Sequence, residues 1–170
     1  MCFWIQASCI HGKHRIMALL LKLLFPVLLP FAVRWAERAE KRILHEGVPL
    51  GEPHFSDARL MGVEYPERIR LLKVNSIPLP GNRVLKFAAR IMGLLSPHTA
   101  GMSLRYGIFV RKDCWGDRRL IAHECVHTAQ YERCGGFRVF LSSYLRECLE
   151  IGYPAAPMEQ EAIQKSAKIA

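Results

Sequence analysis

The sequence predicts an α+β fold: a small domain in which helices surround a short sheet, preceded by a hydrophobic N-terminal helix. Three observations predict it. MSLRYGIFVRK (102–112) alternates apolar and polar residues, the period of a strand or a tight pair of strands. Downstream, apolar residues recur at helical spacing in segments bounded by capping residues and glycines. Near the start, Ile16–Val33 is an apolar run with a single charge, Lys22. At 170 residues the chain can bury one core and carry one appended segment.

The elements follow in order. Residues 1–15 have no clear period and read as a leader, with Met17 an alternative start to Met1. Residues 16–46 read as a membrane-associated helix. Pro26 and Pro30 each remove a backbone donor inside it, which suits a kinked or re-entrant membrane segment. A helix lying in the interface is the second reading, with Lys13, Arg15, Arg34 and Arg38 as basic flanks. Trp35 suits a headgroup level or a place over the core, and Glu37 and Lys41 form a favourable i,i+4 spacing. Three prolines and three glycines between residues 47 and 67 read as a linker. The compact domain is expected over 68–170.

Within it, IRLLKV is a short strand ended by Pro78 and Pro80, and 82–95 is a helix capped by Asn82. On the strand MSLRYGIFVRK, Leu104, Tyr106, Ile108 and Val110 are expected on one face. Asp117 then caps a helix from Arg118 to about Arg133, which Gly135 and Gly136 end. FRVFLSSYLRECLEIG is a further amphipathic helix, and Pro157 is placed to open the last one.

The net charge of +9 permits attraction to nucleic acid or to anionic lipid. The basic residues are scattered singly, as at Arg68, Arg70, Lys73, Arg83 and Lys86, with no glycine-aromatic RNA-binding signature among them. That pattern points away from nucleic acid. Six cysteines, Cys2, Cys9, Cys114, Cys125, Cys134 and Cys148, make no C-x-x-C pair, so reduced and buried thiols are expected rather than a zinc ribbon or a disulfide scaffold.

HECVH, residues 123–127, falls inside the helix that follows Asp117. His123 and His127 are one turn apart on one face, so both imidazoles can reach one tetrahedral ion. Glu124 lies about 100° further round, where it can reach a water at that ion and act as a general base. A catalytic site needs a third protein ligand. Glu159 and Glu161, just after Pro157, are candidates, and two residues apart on a helix only one of them can face the metal. Cys125 points away and belongs to the core.

HECVH at 123–127, followed by E-Q-E-A at 159–162, resembles the gluzincin group of zinc metallopeptidases. The likeness is closest to its small membrane-associated members and to bacterial zincin-like domains with an E-x-x-A pattern after the motif. It runs from Leu104 to Ala162. The resemblance implies a zincin-like domain holding Zn²⁺ through His123, His127 and Glu159, with Glu161 the alternative. It implies Glu124 as the base and an edge strand that pairs with an extended peptide, assigned to Tyr106, Gly107, Ile108 and Phe109. Tyr153 or Tyr131 would stabilise the oxyanion. The implied activity is zinc-dependent hydrolysis of peptide or protein; with the hydrophobic segment Ile16–Val33 and the reduced cysteines, a membrane-associated protein with its catalytic domain on the cytoplasmic side is expected. The alternative is a non-catalytic, membrane-tethered zinc-binding scaffold or sensor. One departure stands out: where the pattern usually has an aspartate to orient a histidine, this chain has Ile163.

Overall fold

A computed structural model of the chain describes residues 13–91, 94 and 99–169. The expected leader lies outside these except for its last three residues, which begin the first helix. Cys2 and Cys9 also lie outside, as do positions 92, 93 and 95 of the expected helix 82–95.

The chain forms α1 (Lys13–Glu46), β1 (Val48–Pro49), α2 (His54–Leu60), β2 (Arg70–Val74), α3 (Arg83–Ile91), β3 (Gly101–Leu104), β4 (Gly107–Arg111), α4 (Arg118–Cys134), α5 (Phe137–Glu150) and α6 (Pro157–Ser166). This is the α+β class expected. The four strands make one sheet in the order β1-β2-β4-β3. β2 and β4 run parallel, and the outer pairs β1–β2 and β3–β4 are antiparallel.

Register decides what each face of the sheet carries. Met102 lies opposite Phe109 and Leu104 opposite Gly107, so these four share one face. Gly101, Ser103, Ile108 and Val110 share the other. The hairpin turns at Arg105 and Tyr106, with Arg105 in the left-handed region at φ 57°. The expected single face of Leu104, Tyr106, Ile108 and Val110 is therefore broken: Leu104 falls on the Phe109 side, and the turn separates it from Ile108 and Val110.

α1 covers the Phe109 face. It comes so close that a Cβ added at Gly107 would meet the Ile43 side chain at 2.9 Å. Glu40, buried on α1, is held by Arg105 through two bonds of 2.8 Å and accepts the Tyr106 N–H at 3.3 Å. Burying a carboxylate demands such partners. α4 covers the opposite face, where Ile108 and Val110 pack with Ile121, Cys125, Val126 and Ala129.

Ile16–Val33, expected as a kinked or re-entrant membrane segment, falls within α1. No helix among the described residues is long and apolar enough to cross a membrane. Leu21, Leu29, Ala36 and Ile43 of α1 are buried against the rest of the chain. Trp35 packs beside the core cluster that contains Phe109 and Phe140. The i,i+4 ion pair formed on α1 is Arg42–Glu46, at 3.0 Å, rather than the Glu37–Lys41 pair that spacing suggests.

The stretch read as a linker, 47–67, is also part of the packed unit. β1 pairs with β2, and Asp57 of α2, buried, receives two bonds from Arg118 at 2.7 and 2.8 Å. Ala58, Met61 and Val63 lie in the core against α4. Prolines and glycines shape its turns without loosening it.

Candidate metal centre and its cleft

α4 is a rigid platform because both its ends are closed as the sequence predicts. Asp117 accepts from the Leu120 N–H at 3.0 Å, and Gly135 at φ 75° adopts the left-handed cap. His123 and His127 then lie on one face, their rings edge-to-face with centroids 4.9 Å apart. Thr128 ties the helix to the sheet: its hydroxyl donates to the Arg105 carbonyl at 2.7 Å and meets the Ser103 hydroxyl at 3.1 Å.

α6 delivers the third group. Pro157 opens it, and the Glu147 carboxylate of α5 accepts the free Met158 N–H at 2.8 Å. Ala162, fully buried, lets the helix lie close against α4. Glu159 sits in the first turn, where the helix dipole favours a carboxylate. Only 1% of it is exposed. Its Oε1 is 3.2 Å from His123 Nε2 and its Oε2 is 3.3 Å from His127 Nε2.

Glu161 points elsewhere, since at about 100° per residue it projects to the far side of the helix from Glu159. It bonds to Arg133 Nη2 at 2.7 Å and Lys165 Nζ at 2.8 Å and accepts from Gln130 Nε2 at 2.9 Å. Of the two glutamates, the one brought to the histidines is Glu159.

Do these three residues fit a metal? Glu159 Oε1 is buried without a hydrogen-bond partner, even though His123 Nε2 is near it. The nitrogen is close but not aligned as a donor. An orphaned carboxylate oxygen facing two imidazole nitrogens is what a shared cation would satisfy. The candidate ligand atoms lie within 4.8 Å of one another. Two nitrogens and one carboxylate form a donor set suited to first-row divalent ions. Without such an ion, burial opposes the Glu159 charge, and the adjacent imidazoles of His123 and His127 outweigh it, pulling the carboxyl well below its usual range. For His127, burial opposes protonation, but Glu159 outweighs that and raises the imidazole.

Ile163 offers no polar side chain, and the His127 ring is held instead by Gln130. Its Oε1 lies 2.8 Å from His127 Nδ1, and its Nε2 donates to the Met158 carbonyl at 2.8 Å as well as to Glu161. Since that Nε2 already supplies donors, the amide oxygen accepts from Nδ1–H. In the neutral imidazole, this tautomer would leave the Nε2 lone pair open to a cation shared with Glu159. Gln130 therefore orients one candidate ligand and fixes the register of the helix carrying another.

Glu124 is buried beside this group. Burial raises its pKa above the ordinary carboxylate value; the two histidines pull it down, Glu159 pushes it up, and a Ser103 backbone bond lowers it again. It rests against β3: a Cβ at Gly101 would meet Glu124 Oε1 at 2.6 Å. Glycine there is a steric requirement for this carboxylate position.

The strand beside Glu124 is thus β3 and not the Tyr106–Phe109 stretch. Tyr106 lies in the hairpin turn, and Gly107, Ile108 and Phe109 belong to β4, which is paired on both sides. A strand with both edges used cannot add a peptide. β3 is an edge of the sheet, and its Gly101 and Ser103 touch the α4 side, where Glu124 and Thr128 stand.

Both oxyanion candidates, Tyr131 and Tyr153, line the cleft, and they differ in packing. Tyr131 is buried in the second core cluster and stacks on Phe140 at 3.6 Å between centroids. Tyr153 lines the cleft with Glu159, and burial first, then the charges of Glu159 and Glu124, raise its phenol. Sequence reading missed Tyr144, whose hydroxyl donates to Glu159 Oε2 at 3.0 Å and whose ring meets His127 edge-on at 5.6 Å. The signal was present as Phe140 and Tyr144, an i,i+4 aromatic pair on α5. Cys125 is buried in the core, as expected, and burial pushes its thiol up.

The group opens onto a cleft of about 200 Å³ walled by α1, α3, α5 and β3.

No protein-family model matches the chain. No curated protein matches it in sequence, and no solved structure matches its fold.

Replacing Gln130 with leucine removes the Nδ1 acceptor and the link to Met158. The expected result is a metal affinity about 10–100-fold weaker, measured by competition with a chromophoric chelator. Glu161→Gln, altered on the outer side of Gln130, is expected to stay near wild type in the same titration.

Proposed function

We propose that the chain is a zinc-dependent metallopeptidase of the gluzincin kind, with His123, His127 and Glu159 holding the ion and Glu124 as the catalytic base. The observation that carries this is the buried Glu159, with one carboxylate oxygen unpartnered, facing two imidazole Nε2 atoms from a different helix. Metals other than zinc share this preference, but tetrahedral His₂Glu sites with an open position suit zinc hydrolases. When bound, Zn²⁺ supplies Lewis acidity, polarising a carbonyl and acidifying a water.

The chain's own residues do the rest. Glu124, held by Gly101 and Ser103 against the edge strand, takes a proton from a water at the site. Its raised proton affinity suits that task and the return of the proton. The water oxygen forms a bond to the scissile carbonyl carbon, the carbon–nitrogen bond breaks, and Glu124 passes the proton to the leaving amine. Tyr153 in the cleft wall can donate its hydroxyl to the oxyanion. The β3 edge, Gly101–Leu104, offers the backbone groups for an extended substrate. A cleft meeting Glu124 favours this reading over a non-catalytic zinc-binding scaffold or sensor.

Membrane association is the second part of the proposal, with α1 lying on the surface. Leu20, Leu23, Leu24, Val27 and Phe31 are exposed, Leu23 to 71% and Val27 to 60%. At about 100° per residue they form one stripe, which Arg34 and Arg38 continue. An apolar stripe running into arginines suits an interfacial helix over anionic lipid.

Glu124→Gln is expected to keep one equivalent of metal and to lose about 10²–10⁴-fold in hydrolysis of casein or a mixed peptide pool. A variant as active as wild type contradicts the assignment. For the surface, flotation with phosphatidylglycerol-containing vesicles should carry the wild type. Leu23→Asp combined with Val27→Asp should leave the protein in the dense fractions, and equal flotation of both would remove this stripe from the account.

A further inference from the structure

The cleft is apolar everywhere except at its catalytic end. α1 presents a second stripe to it, Leu21, Phe25, Leu28, Leu29 and Trp35, about a third of a turn from the exposed one. Leu141 and Leu145 of α5 face the same space. Among the described residues no lysine, arginine or aspartate lines it, and its carboxylates are Glu124 and Glu159. Away from Glu124, Glu159 and the two histidines, a charged side chain entering this space would lose water and meet no counter-charge. The cleft therefore discriminates by what it fails to offer.

The wall on the sheet side is backbone. All four residues of β3 line the cleft, and β3 is an edge strand. An acyl chain has no use for amide and carbonyl groups along its path, whereas an extended peptide pairs with them. Building on the metallopeptidase reading, we propose that the cleft selects an extended, uncharged peptide segment with large apolar side chains on both sides of the scissile bond, and that α1 is the wall that sets this specificity. Phe25 and Leu28, half-buried where α1 meets the cleft, are the contacts that read the apolar side chains. The hydrophobic N-terminal segment thus has two faces with two uses, one against the cleft and one outward.

The test uses three internally quenched peptides of one length, with leucine and phenylalanine, aspartates, or lysines flanking the central bond. The expected kcat/KM for the apolar peptide exceeds that for either charged peptide by about tenfold or more. Leu28→Lys, checked for unchanged metal content and melting, should lower the apolar rate and raise the aspartate rate relative to wild type. Leu28→Ala should lower the apolar rate alone. Binding is read separately from chemistry in Glu124→Gln protein, as a change in fluorescence on adding the apolar peptide that is lost in a Trp35→Phe background. Binding without hydrolysis in the wild type would sink the peptidase reading and leave the specificity intact. Equal or better use of charged peptides, no response to Leu28→Lys, or displacement of a bound fatty acid without any peptide binding would overturn the proposal.

Discussion

The arrangement turns on one buried carboxylate. Glu159 is 1% exposed, and an ionised group so placed is costly unless something nearby compensates it. The compensation comes from α4, through His123 and His127, and from α5, through the Tyr144 hydroxyl. Three helices must therefore keep a common register. Gln130 spans His127 and the Met158 carbonyl, Glu147 receives the Met158 N–H, and Ala162 permits close approach. Each of these contacts fixes where one carboxylate stands.

The same constraint extends into the sheet. Thr128 and Ser103 set α4 against the β3–β4 hairpin, which places Glu124 on Gly101 at the sheet edge. On the opposite face α1 is seated by Ile43 over Gly107 and by Glu40 with Arg105. The cleft is the space between these two layers along the outer edge of β3, so its walls and the His123, His127 and Glu159 group are positioned by one hairpin. Arg105 belongs to both sides of this arrangement: its carbonyl receives Thr128 and its guanidinium holds α1.

Much of this was legible where local chemistry decides. The Asp117 cap, the Gly135 stop, the Pro157 start and the spacing within HECVH depend on residues within a turn of one another, and the structure has them. The choice of Glu159 over Glu161 was left open by helical period alone; it is decided by Arg133, Lys165 and Gln130, which draw Glu161 outward. The stretch expected to pair with an extended peptide, Tyr106–Phe109, is not at a sheet edge, because strand order comes from long-range pairing. β4 lies between β2 and β3, and nothing in YGIFVRK says so. The linker reading of 47–67 failed for a related reason, since Asp57 finds its partner in Arg118, far along the chain. Gln130 looked like a residue bonding only across its own helix. Its reach to α6 depends on the helix packing that the missing aspartate at Ile163 had left unexplained.

The most direct test of the convergence of two imidazoles and one carboxylate on a single ion is X-ray absorption at the zinc edge of the purified, zinc-loaded protein. The account predicts a shell of nitrogen and oxygen near about 2.0–2.1 Å with outer-shell scattering from two imidazoles and no sulfur. Sulfur scattering at about 2.3 Å, or a shell without imidazole, would place the ion on other residues and contradict it.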